Sequence, residues 1–283
     1  MEIVEVKGET GAESMKKIIF LSAVIALFAV ISYSGYQLWD IRQNTVQEAE
    51  VHRWLLQYHP LSQSTAAASA STAASAEYYA EEPAAMAAAD TASAQQVVNQ
   101  SIVDLQAERP GVVGWLTVPN TRIDYPFAQG ADNAHYLHLD LNGRWSAAGT
   151  IFMDFRNSRE LLDFHTIIYG HHMRNGSMFG TLQQFDNRAF FEHNRTGTIF
   201  LADARYEIEF MAFAVIQPDD AVIYNPRLGA DADKFAFLDH VRSLARYYRD
   251  VGATVDDRVI TLSTCNYEFH DARMVLIGRL VEL

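Results

Sequence analysis

Residues 258–282 read RVITLSTCNYEFHDARMVLIGRLVE. Two β-type runs, Arg258–Cys265 and Met274–Glu282, flank a polar turn and form a hairpin-like pair. Strand alternation puts Val259, Thr261, Ser263 and Cys265 on one face, with Ile260, Leu262 and Thr264 on the other. The thiol of Cys265, the chain's one cysteine, then shares a face with two hydroxyls. Arg273 sits at the start of the second run, at the cysteine end of the pair, and Arg279 shares its face. Upstream, residues 169–173 read YGHHM and follow an apolar run. A thiol, an imidazole and a guanidinium beside β-type runs are the groups that acyl transfer through a thioester requires.

Further runs extend this pattern toward the N-terminus. Gly114–Val118, Arg122–Pro126, Thr150–Asp154, His165–Gly170, Thr198–Ala202 and Arg205–Gln217 read as strands separated by turn signals. Eight short, evenly spaced strands argue for a mainly β fold, a closed or nearly closed barrel with helices on its surface. A helix is expected over Gln96–Ala107, stopped by Pro110 and Gly111. Met178–Phe185 and Ala189–Glu192 read as helical. A longer helix is expected over Asp231–Asp250, with Phe235, Leu238, Val241, Leu244, Ala245 and Tyr248 at three- and four-residue steps.

The region before residue 95 has a different character. Ile18–Trp39 carries no charged side chain. At ~1.5 Å per residue it covers roughly 33 Å, enough for a ~30 Å hydrocarbon core. Lys16 and Lys17 precede it, and Tyr33, Tyr36 and Trp39 crowd its far end, where aromatic rings favour the interface. A cleaved signal peptide would end in small residues, so the run reads as an uncleaved anchor. Residues 1–17 are then a cytoplasmic tail, 18–39 a transmembrane segment, 40–94 an extracytoplasmic stalk and 95–283 the compact domain. Gln43–His59 reads as a short helix within the stalk. Ser62–Ala94 is rich in Ala, Ser and Thr and has no bulky apolar face, so it reads as a spacer.

Composition narrows the function classes. The net charge of −13 argues against nucleic-acid binding, which needs a basic face. A single cysteine excludes an intrachain disulfide and any multi-cysteine zinc site. His171 and His172 lie at a strand end, where a rigid scaffold meets an accessible loop. Neither an HExxH pattern nor a second cysteine accompanies them, so a metal site is not expected. By alternation His165, Ile167, Tyr169 and His171 share one face, and His172 points away from it. His135 and His138 read as ordinary surface or half-buried groups, and Arg279 as a salt-bridge partner.

Five blocks carry a more specific signal: GWLTVPNTRIDYPF, DNAHYLH, GTIFMDFRN, YGHHMRNGSMFG and TLSTCNYEFHDARMVLIGRL, in that order from residue 114 to 280. Together they resemble the class B sortases over Glu108–Leu283. The resemblance implies an eight-stranded sortase barrel with an N-terminal helix and a long helix before the cysteine strand. It also implies a Cys265–His171–Arg273 site, with Asn133, Leu137, Tyr224 and Ser263 lining the substrate groove. The implied substrates are surface proteins bearing a C-terminal sorting motif of NPxTN or (S/N)PxTG type. The implied acceptor is an amine of a peptidoglycan precursor, and no metal or organic cofactor is needed. The Ala/Ser-rich spacer departs from the family's usual stalk. A pilin polymerase of the same family, a secreted cysteine protease and a non-catalytic adhesion domain are the rival readings. In papain-like proteases the cysteine precedes the histidine, whereas here the order is reversed.

Overall fold

The computed structural model describes residues 11–61, 98–265 and 272–283. The spacer expected at Ser62–Ala94 and the turn at 266–271 lie outside the described residues. Two compact units divide the chain, Met1–Glu50 and Val51–Leu283. Helix α1 (Gly11–Leu55) supplies the described part of the first unit. Its Met15–Gln37 stretch has a mean hydropathy of 2.3 and is long and apolar enough to cross a membrane. Ile18, Phe20, Ile25 and Phe28 are exposed there, as side chains facing lipid would be.

The second unit begins well before Gln95, the boundary expected from composition. Leu55 is buried, and Val51, Trp54 and Tyr58 pack with it against Ile102, Leu105, Val112, Trp115 and Phe200. His59 Nε2 lies 3.1 Å from Asp124 Oδ1, which also accepts from Trp115 Nε1 at 2.8 Å. The expected stalk helix is therefore the end of α1 and a 3-10 turn at Leu56–Tyr58, and its aromatic residues find a buried partner surface.

Helix α2 (Gln100–Glu108) follows, capped by the Asn99 side chain, which accepts from Ile102 N. Nine strands are present among the described residues. They are β1 (Val112–Thr117), β2 (Asp124–Ala128), β3 (Phe152–Met153), β4 (His165–His171), β5 (Thr196–Phe200), β6 (Arg205–Ile216), β7 (Tyr247–Tyr248), β8 (Arg258–Cys265) and β9 (Arg273–Glu282). The order β5-β1-β2-β3-β4-β8-β9-β6 closes through a β5–β6 pairing, giving an eight-stranded barrel. Closure removes the exposed edges that an open sheet would present. All eight strands expected from sequence are found. A 3-10 segment (Gly180–Asp186) and helix α3 (Arg188–His193) occupy the stretches expected to be helical there.

The long helix departs from expectation at its end. Helix α4 (Asp231–Leu244) stops six residues short of Asp250. Tyr247 and Tyr248 instead form β7 against Phe213 and Ala212 of β6, beyond the edge taken by β5. Arg246 N and Arg249 N donate to Phe213 O and Met211 O at 2.9 and 2.7 Å, so tertiary pairing overrides the helical period. Phe235 is also not a core residue. It is exposed, and Phe237 is buried with Val241 instead. Two steps of 100° put positions 235 and 237 on opposite sides of a helix, so only one can face the sheet.

Alternation along β4 and β8 separates two layers. Ile168, Ile260 and Leu262 join Phe127, Phe179 and Phe210 inside the barrel. Val259 faces outward with Phe237, Val241 and Val275 beneath α4. Burying a phenylalanine such as Phe237 is worth about 1.5–3 kcal/mol, so these layers hold β4 and β8 firmly where the site is built.

Candidate active site

Strands β4 and β8 run parallel, with His165 paired to Val259, Ile167 to Thr261, Tyr169 to Ser263 and His171 to Cys265. The last pair of that ladder brings the two residues singled out in the sequence, 94 positions apart, to adjacent register. The expected orientation of the Cys265 thiol lies outside what is described. The outer face of the ladder is otherwise well defined. Thr261 Oγ1 lies 2.8 Å from His165 Nε2, and Ser263 Oγ lies 3.0 Å from Tyr224 Oη.

His171 Nε2 lies 2.7 Å from the Leu137 carbonyl. A carbonyl oxygen only accepts, so Nε2 carries the proton and the tautomer is set by the backbone. The His138 ring stacks on His171, centroids 5.7 Å apart and 30° between planes. His138 is exposed, as expected, but its stacking on His171 was not legible from spacing. The Leu137 carbonyl is itself crowded from below by Gly149, at φ +58°. A Cβ there would lie 2.4 Å from Leu137 O, so glycine is needed both for conformation and for approach. His172 turns the other way, with Nε2 3.2 Å from Gln183 Oε1.

Beside this ladder lies a cavity of about 220 Å³, lined among others by Asn133, Leu137, Tyr169, Tyr224, Ser263 and Arg273. All four residues expected to line a groove are in its wall, together with the arginine expected to act on an oxyanion. Arg273 opens β9 opposite Ile216. Thr264 Oγ1 accepts from Met274 N at 3.1 Å, which holds the start of β9 against the end of β8. Arg279 lies elsewhere: its Nε donates to Glu209 Oε2 at 2.9 Å, across the β6–β9 pair. It is a cross-strand ion pair, as its expected role had it.

Beneath the cavity is a group that sequence reasoning missed. Asp154 is fully buried just past β3. Its Oδ1 accepts from Arg156 Nε at 2.8 Å and from Arg156 N at 3.0 Å. Its Oδ2 accepts from Arg156 Nη2, Asn133 Nδ2 and Tyr169 Oη at 2.7, 2.9 and 3.1 Å. Burial pushes the Asp154 carboxyl up, but the bonds from Arg156 and Asn133 outweigh it and hold the group below its ordinary value. The only signal in the sequence is an acid and a base two residues apart after a short apolar strand.

His165 is a second buried group. Its Nδ1 donates to Asn225 O at 3.1 Å, so Nε2 is the unprotonated nitrogen and accepts the Thr261 hydroxyl. Complete burial drives its pKa down to about 4. The imidazole is thus a neutral peg that ties the segment after Tyr224 to the barrel. No group of three or more His, Cys, Asp or Glu side chains arranged to hold a metal occurs among the described residues.

Comparison with known proteins agrees with this geometry. The sortase domain family matches residues 116–281. Sortase B of Listeria monocytogenes is 37% identical over 196 residues, covering 68% of this chain and 79% of that protein. Sortase B of Staphylococcus aureus is 30% identical over 192 residues, covering 67% and 78%. Among solved structures, a Staphylococcus aureus sortase B–substrate complex has a TM-score of 0.63 at 30% identity, over 67% of this chain and 88% of that one. Clostridium perfringens sortase B has a TM-score of 0.60 at 31% identity, over 63% and 98%. The chain belongs to the sortase family, in class B, and is a cysteine transpeptidase.

Proposed function

We propose that this sortase is a single-pass membrane enzyme with its N-terminus inside and its barrel outside. It cleaves a C-terminal sorting motif of NPxTN or (S/N)PxTG type after the threonine. It then transfers the protein to an amine of a peptidoglycan precursor. The observation that supports this reading is the β4–β8 register, which pairs Cys265 with His171, next to a cavity lined in part by Ser263, Thr264 and Arg273. The apolar stretch Met15–Gln37 supports the anchor, and Lys16 and Lys17 at its start support the orientation.

In this mechanism the Cys265 thiolate attacks the threonine carbonyl, and the tetrahedral oxyanion is held by Arg273 and backbone N–H groups. With Nε2 donating to Leu137 O, Nδ1 is the ring nitrogen that exchanges protons, delivering one to the leaving amine. The C–N bond breaks and a thioester remains. An incoming amine attacks that thioester, loses a proton and releases Cys265 as a thiolate. Asn133, Leu137, Tyr224 and Ser263 border the acyl donor.

Mass spectrometry of products tests the reading, using fluorogenic peptides of both motif types together with candidate amines. A peptide–amine conjugate joined at the threonine is expected, with peptidoglycan stem-peptide amines favoured over a pilin lysine. Conjugates formed only with the pilin lysine would assign the chain to pilus assembly. Hydrolysis without any conjugate would make it a protease.

A further inference from the structure

The cavity wall is held by one carboxylate. Asp154 is fully buried, yet its two oxygens accept five hydrogen bonds from three residues. Five bonds exceed the roughly four lone-pair sites of a carboxylate, so the group is saturated. Two of its partners, Asn133 and Tyr169, line the cavity directly. The third, Arg156, donates from Nη2 both to Asp154 Oδ2 and, at 3.0 Å, to the carbonyl of Tyr224. Tyr224 is a third wall residue, and its ring stacks on Tyr169 with centroids 6.3 Å apart.

These three wall residues come from unconnected parts of the chain. Asn133 lies in the long β2–β3 connection, Tyr169 in β4, and Tyr224 in the connection between β6 and α4. Only Tyr169 is fixed by the barrel ladder. Asn133 is pinned at both ends of its amide, since Oδ1 accepts from Phe155 N at 3.0 Å while Nδ2 donates to Asp154. Its side chain is therefore oriented by residues 154 and 155 before any ligand arrives. Loops carrying binding groups are ordinarily the mobile part of a site, and preorganising them lowers the ordering cost of binding.

We propose that Asp154 is a positioning residue for the acyl-donor groove, setting the Asn133, Tyr169 and Tyr224 walls at one spacing without touching the substrate. The proposal rests on the transpeptidase reading above and assigns no chemical step to Asp154. Its consequence is a division of labour: the carboxylate governs how well the sorting peptide is held, while Cys265, His171 and Arg273 govern the chemistry. Arg156 is the relay to Tyr224, and lysine cannot span two acceptors with a planar fork.

The test compares wild type, Asp154→Asn, Arg156→Lys and Tyr169→Phe in the full chain, in mild detergent, with the fluorogenic sorting peptides. Asp154→Asn keeps the shape but removes the charge and turns one acceptor into a donor facing Arg156. We expect KM to rise about tenfold or more, with kcat changed less than about threefold. The rate at which iodoacetamide alkylates Cys265 should stay within about twofold of wild type. Arg156→Lys and Tyr169→Phe, which perturb the same network more gently, should each raise KM severalfold. Their effects should combine less than multiplicatively with that of Asp154→Asn. Should Asp154→Asn not fold, the two milder variants carry the test alone. A loss wholly in kcat, a parallel fall in alkylation rate, or a KM within twofold of wild type in every folded variant would overturn the proposal. Wild type that turns over no sorting peptide would overturn the transpeptidase reading itself, and the proposal with it.

Discussion

Lowering the pH from 6.5 toward 4 should destabilise this protein through His165. The imidazole is completely buried, donates from Nδ1 to Asn225 O and accepts at Nε2 from Thr261. Its pKa in the folded chain is about 4, against 6.5 for an exposed histidine. Above pH 6.5 the group is neutral in both states and costs nothing. As pH falls through 6.5 the unfolded chain takes up a proton that the folded chain refuses, so stability is lost progressively until pH 4. The full gap corresponds to about 3 kcal/mol, and about 2 kcal/mol of it is gone by pH 5. At pH 5 Asp154 and Asp220, both held below the ordinary carboxylate value, remain ionised. The comparison is His165→Gln, which keeps an N–H for Asn225 and an oxygen for Thr261 but does not titrate. Urea unfolding followed by tryptophan fluorescence at pH 7.5 and pH 5 gives the stability of each chain. The advantage of wild type over His165→Gln should shrink by about 2 kcal/mol between the two pH values. An advantage that stays constant would mean His165 binds its proton when folded, and the neutral-peg assignment would be refuted.

The other predictions concern the site and the domain boundary. Arg273→Ala and Arg273→Lys should each lower kcat by about 10²-fold or more, since only guanidinium supplies the planar donor fork. Arg279→Ala should cost far less in rate, because Arg279 serves the Glu209 ion pair; a larger loss there would reverse the two assignments. His171→Ala should reduce turnover about 10²–10⁴-fold with the fold intact by circular dichroism, and His172→Ala much less. Inactivation by His172→Ala alone would make His172, not His171, the proton-transfer residue. A chain beginning at Gln95 should melt well below one beginning at Val51. It lacks Leu55, whose burial alone is worth about 1.5–3 kcal/mol, and the Trp54 and Tyr58 rings that pack beside it. Equal melting temperatures would restore the boundary at Gln95.

What could be read in advance follows the range of the interactions involved. The β8 and β9 runs announce themselves by alternation because one face of each fills the barrel, and that constraint is local. The same period places Thr261 and Ser263 outward, where they meet His165 and Tyr224. The β4–β8 pairing is not local, so only resemblance and chemistry, not periodicity, point to the pairing of His171 with Cys265. Interactions with no periodic signature leave no trace in the sequence. Tyr247–Tyr248 looks like the end of a helix until β6 offers it an edge. Trp54 and Tyr58 look like stalk residues until Trp115 and Phe200 provide a surface. Asp154 and Arg156 are an ordinary charged pair in sequence, and only the folded chain shows what they hold.

The central claim is that acyl transfer passes through Cys265. Incubating the full chain with a sorting peptide, without an amine acceptor, and digesting it for mass spectrometry tests that claim directly. The account predicts one acyl adduct, ending in the threonine of the sorting motif, on the tryptic peptide containing Cys265. Hydroxylamine should remove it, and it should be absent from Cys265→Ala, which should also lack cleavage and transfer. An adduct on any other residue, or peptide cleavage that survives Cys265→Ala, would contradict it.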